Sequence, residues 1–322
     1  MTDRSVVDGG AAALARDLAA VLDAEVADLA RLSGGASRET WRFRAGGRDL
    51  VVHRQRSGDT RDMMVEAAVL RAAAAAGVPV PEVVVAGTEG LGGAFIVSAA
   101  VDGETIARKV LRDEHFAPAR RVLPRQLGAA LAALHRADPA AVPGLPSVDQ
   151  VAQYREALDT LGEPHPAFEL AFRWLDANRP PAGRPAIVHG DFRLGNVIVG
   201  PDGLRAVLDW ELAHVGDPME DLGWLCVKAW RFGSPQPVAG LGAYDELFGA
   251  YEAAGGRPVD ADVVRWWEVL GTLKWGIMCI MQANVHLAGV ERSHELAAIG
   301  RRVCENEHDL FVLLDGHWNE RR

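Results

Sequence analysis

The residues best suited to do chemistry gather in one segment, His189-Gly-Asp191-Phe-Arg-Leu-Gly-Asn196, and in the Asp209-Trp-Glu211 that follows it. Four residues separate Asp191 from Asn196, the spacing of a D-x-x-x-x-N catalytic loop. Between Asn196 and Asp209 the chain reads as a hairpin. Val197-Ile-Val199 is apolar, Gly200-Pro-Asp-Gly203 has turn-forming residue types, and Leu204 to Leu208 returns. A tight hairpin brings its outer ends together, so Asn196 and Asp209 are expected to be neighbours. A carboxylate and an amide oxygen then converge on one point, which is how Mg²⁺ is held beside a nucleotide. Asp191, on the nearby loop, is free to accept a proton from a hydroxyl.

The elements that must position these groups fall into two parts. Residues 11–31 predict a helix, rich in Ala and Leu with its charges on one face. Thr40 to Arg44 alternates, Ala45-Gly-Gly47 is a hairpin turn, and Asp49 to His53 is a second strand. Arg61 to Ala76 predicts a helix ended by Gly77; Glu82 to Ala86 and Ala94 to Ser98 predict two more strands. From Glu104 onward helices dominate, interrupted by short strands at Ala186 to Val188 and by the hairpin. The layout is a small α+β lobe joined to a large helical one, and ligands often bind where two lobes meet.

Composition narrows the function classes. The chain has 322 residues, 49% of them hydrophobic and 24% charged, with a net charge of −10. That is ordinary for a globular protein, and the acidic balance argues against a nucleic-acid partner. Cys226, Cys279 and Cys304 are widely separated, form no metal spacing and cannot all pair, which points to a reducing compartment. No apolar run reaches the ~18 residues of a membrane span, and the expectation is a soluble, cytoplasmic protein. Lysine occurs at only three positions, Lys109, Lys228 and Lys274. The first hundred residues therefore contain no lysine.

His189 to Glu211 resembles the catalytic loop and metal motif of the aminoglycoside-phosphotransferase-like kinases. The run from Asp209 to Asp221 resembles the subgroup found as the kinase portion of acyl-CoA-dehydrogenase-linked proteins. The resemblance extends from Leu32 to about Leu314. It implies an α+β, bilobal, protein-kinase-like fold, with a small antiparallel-sheet lobe and a large, mainly helical lobe. Residues 1–98 would form the nucleotide-binding lobe, 99–103 a hinge, and 104–322 the lobe carrying catalytic loop, metal site and acceptor site. Carried over, Asp191 is the catalytic base, His189 braces its loop, and Asn196 and Asp209 bind Mg²⁺. Glu211 is a second partner near the metal or a surface residue, and Asp217 and Asp221 cap and anchor the next helix.

Ser33, Gly34, Gly35 and Ser37 resemble the family's nucleotide loop, with Arg38 standing where the family often has Asn. The backbone near Ala99 to Val101 would hydrogen-bond the adenine. Kinases pair a cation on the next strand with a helix glutamate, here Glu66. With no lysine available, the anchoring cation falls to Arg54 or His53, and Arg54 is preferred because it is always charged. Trp224, Trp267 and Lys274 are candidates for the acceptor side, although the helical spacing of Trp267, Lys274 and Met278 also fits core packing.

The implied activity is phosphorylation of a small-molecule hydroxyl with ATP and Mg²⁺, GTP remaining open. The acceptor is a hydroxyacyl thioester or another apolar or anionic alcohol. Aminoglycoside, sugar or choline-like acceptors are alternatives, as is a nucleotide-binding module without transfer activity. The oligomeric state is not legible.

Overall fold

The computed structural model describes residues 4–32, 38–56 and 61–315. The chain opens with α1 (Arg4–Leu22), β1 (Val26–Arg31), β2 (Arg38–Ala45), β3 (Arg48–Gln55), α2 (Met63–Ala75), β4 (Val83–Gly87) and β5 (Phe95–Ala99). The helix expected over 11–31 stops at Leu22, and Asp23 takes a left-handed φ of 49°. Residues 26–31 instead extend β2 as an antiparallel edge strand. Sheet pairing of the backbone here overrides the helical preference of the Ala and Leu residues.

The five strands run in the order β1-β2-β3-β5-β4, all antiparallel. Side-chain alternation assigns each residue to one of two faces. Trp41, Phe43, Leu50, Val52, Phe95 and Val97 pack against Leu14 and Leu18 of α1. Arg38, Thr40, His53, Ile96 and Ser98 take the other face, toward α2 and the large lobe. Asp62 caps α2 by accepting from the amides of Met64 and Val65, and Gly77 ends it with a φ of 91°.

The large lobe contains α3 (Ala107–Arg112), α4 (Ala117–Arg136), α5 (Gln150–Leu161), α6 (Pro166–Ala177), β6 (Ala186–Val188), β7 (Val197–Gly200), β8 (Gly203–Val207), β9 (His214–Gly216) and α7 (Met219–Cys226). It ends with α8 (Tyr244–Ala253), α9 (Ala261–Leu287), α10 (His294–Ile299) and α11 (Val303–Leu314). The hairpin β7–β8 forms as expected, and β9 pairs with β6, a strand with no period in the sequence to announce it. The lobes join where Glu104 exchanges backbone hydrogen bonds with Val199, at 2.9 and 3.0 Å. A Cβ on Gly103 would lie 2.5 Å from Ile198 and 2.8 Å from the Val199 carbonyl, so only glycine allows this approach. Among the described residues, no helix is long and apolar enough to cross a membrane.

Candidate active site

The site is built on the short pairing of β6 with β9. Val188 opposite His214 ends β6 and delivers His189 into the interior, where it is fully buried. Gly190 turns the chain with a φ of 79°, and a Cβ there would lie 2.5 Å from the Leu212 carbonyl. Asp221, buried in the first turn of α7, accepts from the amides of His189 and Gly190 at 2.8 and 3.0 Å. The same carboxylate meets His135 Nε2 of α4 at 3.1 Å. Burial would push the Asp221 carboxyl up. The contact with His135 and the loop amide outweigh it and hold the carboxyl below its usual range. Asp221 thus ties the loop to two helices, whereas Asp217 is the cap, accepting from the Met219 amide.

His189 braces both sides of the site. Its Nδ1 accepts from the Asp191 amide at 3.2 Å, which places the ring proton on Nε2, where it donates to Leu208 O at 2.9 Å. Leu208 in turn donates its amide to Asn196 O. The hairpin therefore closes as its spacing implied, and Asp209 follows directly. Asp209 is held in a left-handed conformation, φ 65° and ψ 63°, strain of a kind that persists where surrounding structure fixes it.

Asp191 is fixed by three donors. Arg193 Nε and Trp224 Nε1 reach Oδ1 at 3.0 and 2.9 Å, and Asn196 Nδ2 reaches Oδ2 at 2.6 Å. Asn196 spends its second amide hydrogen on the Asp191 carbonyl, which leaves its Oδ1 as the acceptor side of the group. Asn196 and Asp209 both line an inter-lobe cavity of about 560 Å³, shared with Arg38, Thr40, His53, Glu66 and Ser98.

The remaining predicted residues separate into those at the cavity and those away from it. Glu66 reaches it from α2. His53 reaches it from β3, with Nδ1 3.1 Å from Thr40 Oγ1. Arg54 does not, because strand parity turns it to the opposite face, where it binds Glu39 at 2.5 Å and Leu91 O at 3.2 Å. The preference for Arg54 is thereby corrected. The cation paired with Glu66 is Arg38 of β2, through Nη1 to Oε1 at 2.8 Å. Arg38 Nη2 also binds Glu211 at 3.0 Å, and Glu211 is shared with Arg61. Parity counted from the apolar Trp41 and Phe43 was the available signal for Arg38; Arg193 had none beyond lying inside the loop.

Ser33, Gly34, Gly35 and Ser37 lie outside the described residues. At the hinge, the Ala99 amide is committed to Glu82 O at 2.9 Å. Trp224 touches Asp191 directly. Lys274 is buried, donating to Gly190 O at 3.1 Å and lying 4.7 Å from the Trp224 ring centroid. It supports the loop from beneath. Trp267 stacks edge-on against Trp266 and packs on α7 at Gly223, away from the cavity. Among the described residues no three His, Cys, Asp or Glu side chains gather as a self-contained metal site. An ion at Asn196 and Asp209 would draw its other ligands from water and a nucleotide's phosphates, as Mg²⁺ commonly does.

Residues 28–263 match the phosphotransferase enzyme family. The chain belongs to this family. Its activity class is therefore small-molecule phosphotransfer. Curated relatives include acyl-CoA dehydrogenase family member 10 of Mus musculus, 45% identical over 64 residues, 19% of this chain and 6% of that protein. Acyl-CoA dehydrogenase family member 11 of Gallus gallus is 32% identical over 218 residues, 60% of this chain and 27% of that protein. The phosphotransferase chain thus spans less than a third of the length of these relatives. A solved structure from Ralstonia eutropha assigned to the aminoglycoside phosphotransferases superposes with a TM-score of 0.75 at 22% identity, covering 92% of this chain and 97% of that one. Spectinomycin phosphotransferase, solved with ADP and spectinomycin, gives 0.67 at 13% identity, covering 92% and 98%. These likenesses establish the kinase-like fold.

Proposed function

We propose that this phosphotransferase moves the γ-phosphoryl group of ATP to a hydroxyl of an anionic, partly apolar small molecule, with Asp191 as base and Mg²⁺ at Asn196 and Asp209. The observation that carries the reading is the place of Asp191. Its Oδ2 is bonded to Asn196, which faces the inter-lobe cavity, and its Oδ1 to Arg193 and Trp224, which face away from it. The carboxylate is 15% exposed and hydrogen-bonded to a residue of the inter-lobe cavity, a place from which a base can orient an acceptor hydroxyl toward a phosphoryl group.

The second cleft, about 860 Å³, is lined by Arg108, Lys228, Arg231 and Arg302 together with the acidic Glu305 and Asp309. Ala229 and Arg231 of its lining flank Trp230, whose ring lies 4.8 Å from the guanidinium of Arg193, a partner of Asp191. Lys228, Arg231 and Arg302 are paired with Asp309, Glu268 and Glu305, so the cleft keeps a modest basic excess, and on a chain of net charge −10 that excess favours an anionic acceptor over a polycationic aminoglycoside. A hydroxyacyl thioester fits that chemistry, and the relatedness to acyl-CoA dehydrogenase family members supports it.

Bound Mg²⁺ would neutralise developing charge on the phosphates. This chain's residues would do the rest. Asp191 accepts the hydroxyl proton, the donors on Asp191 keep its carboxylate aimed, and His189 holds the Asp191 loop in register with Asp209. The test is a panel of hydroxylated acceptors, with hydroxyacyl thioesters, sugars, choline and aminoglycosides, incubated with ATP and Mg²⁺. A phosphate monoester formed from the anionic members is expected. A product formed only from cationic acceptors would overturn the acceptor class, and ATP binding without any ester product would overturn the transfer reading.

A further inference from the structure

The small lobe carries no lysine, yet its cleft face carries a built cation site. Arg38 is nearly buried, its side chain 9% exposed, and its partner Glu66 is 11% exposed. Nη1 is committed to Glu66 and Nη2 to Glu211. The third nitrogen, Nε, is buried with no hydrogen-bond partner. An orphaned donor on a buried charged group costs stability unless a ligand supplies the acceptor. Arg38 lines the same cavity as Asn196 and Asp209, the cation-binding pair of the reading above.

We infer that Arg38 is the small-lobe anchor for the nucleotide's phosphates, taking from strand β2 the role that a lysine on β3 would otherwise fill, with its guanidinium donating to a phosphate oxygen. The inference rests on the phosphotransferase reading and names its missing cation. Sheet register explains how the exchange works. Thr40 stands opposite His53 and Arg38 opposite Gln55, so β2 and β3 present Arg38 and His53 side by side on the cleft face. A guanidinium launched from β2 reaches the Glu66 carboxylate that a β3 cation would meet. His53 itself is unsuited to the task, because burial, aided by the Arg38 charge, lowers its ring to about 4 and keeps it neutral. Arginine also brings a planar fork with several N–H groups, so it can hold Glu66 and a phosphate together, where an ammonium acts as a point charge.

Equilibrium binding of ATP, ADP and adenosine to the full chain, without acceptor, tests this directly. Arg38→Gln should weaken ATP and ADP roughly 10- to 100-fold, the worth of a charge-assisted hydrogen bond, and leave adenosine unchanged. Arg38→Lys keeps a charge beside Glu66 and so preserves the folded lobe; it should fall between wild type and Arg38→Gln. Arg54→Gln, on the opposite face, should bind all three as wild type does. The inference is overturned if Arg38→Gln and Arg38→Lys bind ATP at wild-type affinity, or if adenosine is lost in step with ATP. A wild-type chain that binds neither ATP nor ADP would overturn the underlying phosphotransferase reading as well.

Discussion

Single residues in this site are held in conformations they would not choose alone. Asp209 is the clearest case: a non-glycine residue at φ 65° at the end of the hairpin. Asn tolerates that conformation, so Asp209→Asn removes a charge without disturbing the turn. The Mg²⁺ concentration needed for half-maximal transfer should rise at least several-fold while the melting temperature stays near wild type; an unchanged Mg²⁺ requirement would remove Asp209 from the metal site. His53 supplies a second test. Its unfolded ring titrates near 6.5 and its folded ring near 4, lowered by burial and then by the Arg38 charge. Between these values the unfolded chain binds the extra proton, so this group's contribution to stability falls as pH drops from about 6.5 toward 4 and is flat above. Urea titrations of His53→Gln across that window should show a shallower acid loss than wild type, and parallel curves would contradict the buried, neutral ring.

At the scale of elements, the catalytic loop is legible because its parts are contiguous. A turn sequence between two apolar runs fixes a hairpin, and the hairpin fixes Asn196 against Asp209. What the sequence hides are contacts between elements far apart in the chain. Strand β9 is three residues long, too short for a period, and β1 borrows its shape from β2. The choice between His53 and Arg54 turned on strand parity, which the apolar positions of β2 and β3 encode but a slip of one residue inverts. The pairing of Arg38 with Glu66 and Glu211 was not legible because those partners lie 28 and 173 residues away. Gly190 shows how tightly β6, β9 and α7 confine the loop. Gly190→Ala sets a Cβ against the Leu212 carbonyl at a positive φ, and strain of that kind costs roughly 1–3 kcal/mol. Thermal unfolding should show the loss, and transfer should fall further than ATP affinity because Asp191 moves with the strain. A stable variant with wild-type kinetics would contradict that confinement.

The whole molecule carries an inter-lobe cavity and a second cleft in the large lobe. The inter-lobe cavity is lined by Arg38, Glu66, Asn196 and Asp209, and the second cleft by Arg108, Lys228 and Arg302 with Glu305 and Asp309. The bilobal plan was legible from the change in composition near Glu104, and the acceptor side was not. The tryptophans chosen from sequence divide by packing: Trp224 touches Asp191, whereas Trp267 serves the core. Charge reversal at the rim separates the two clefts. Arg108→Glu and Arg302→Glu should each raise the KM of an anionic acceptor several-fold and leave the KM of ATP unchanged, with added salt blunting the difference. Equal effects on both substrates would dissolve the division of labour. The central claim is that Asp191 is the base of a working phosphotransferase. Its most direct measurement is γ-phosphoryl transfer from ATP to a hydroxyl acceptor by wild type and Asp191→Asn at matched ATP occupancy. The account predicts transfer by wild type and a loss of roughly 10²–10⁴-fold in the variant, with ATP affinity retained. Wild-type-like turnover by Asp191→Asn would contradict it.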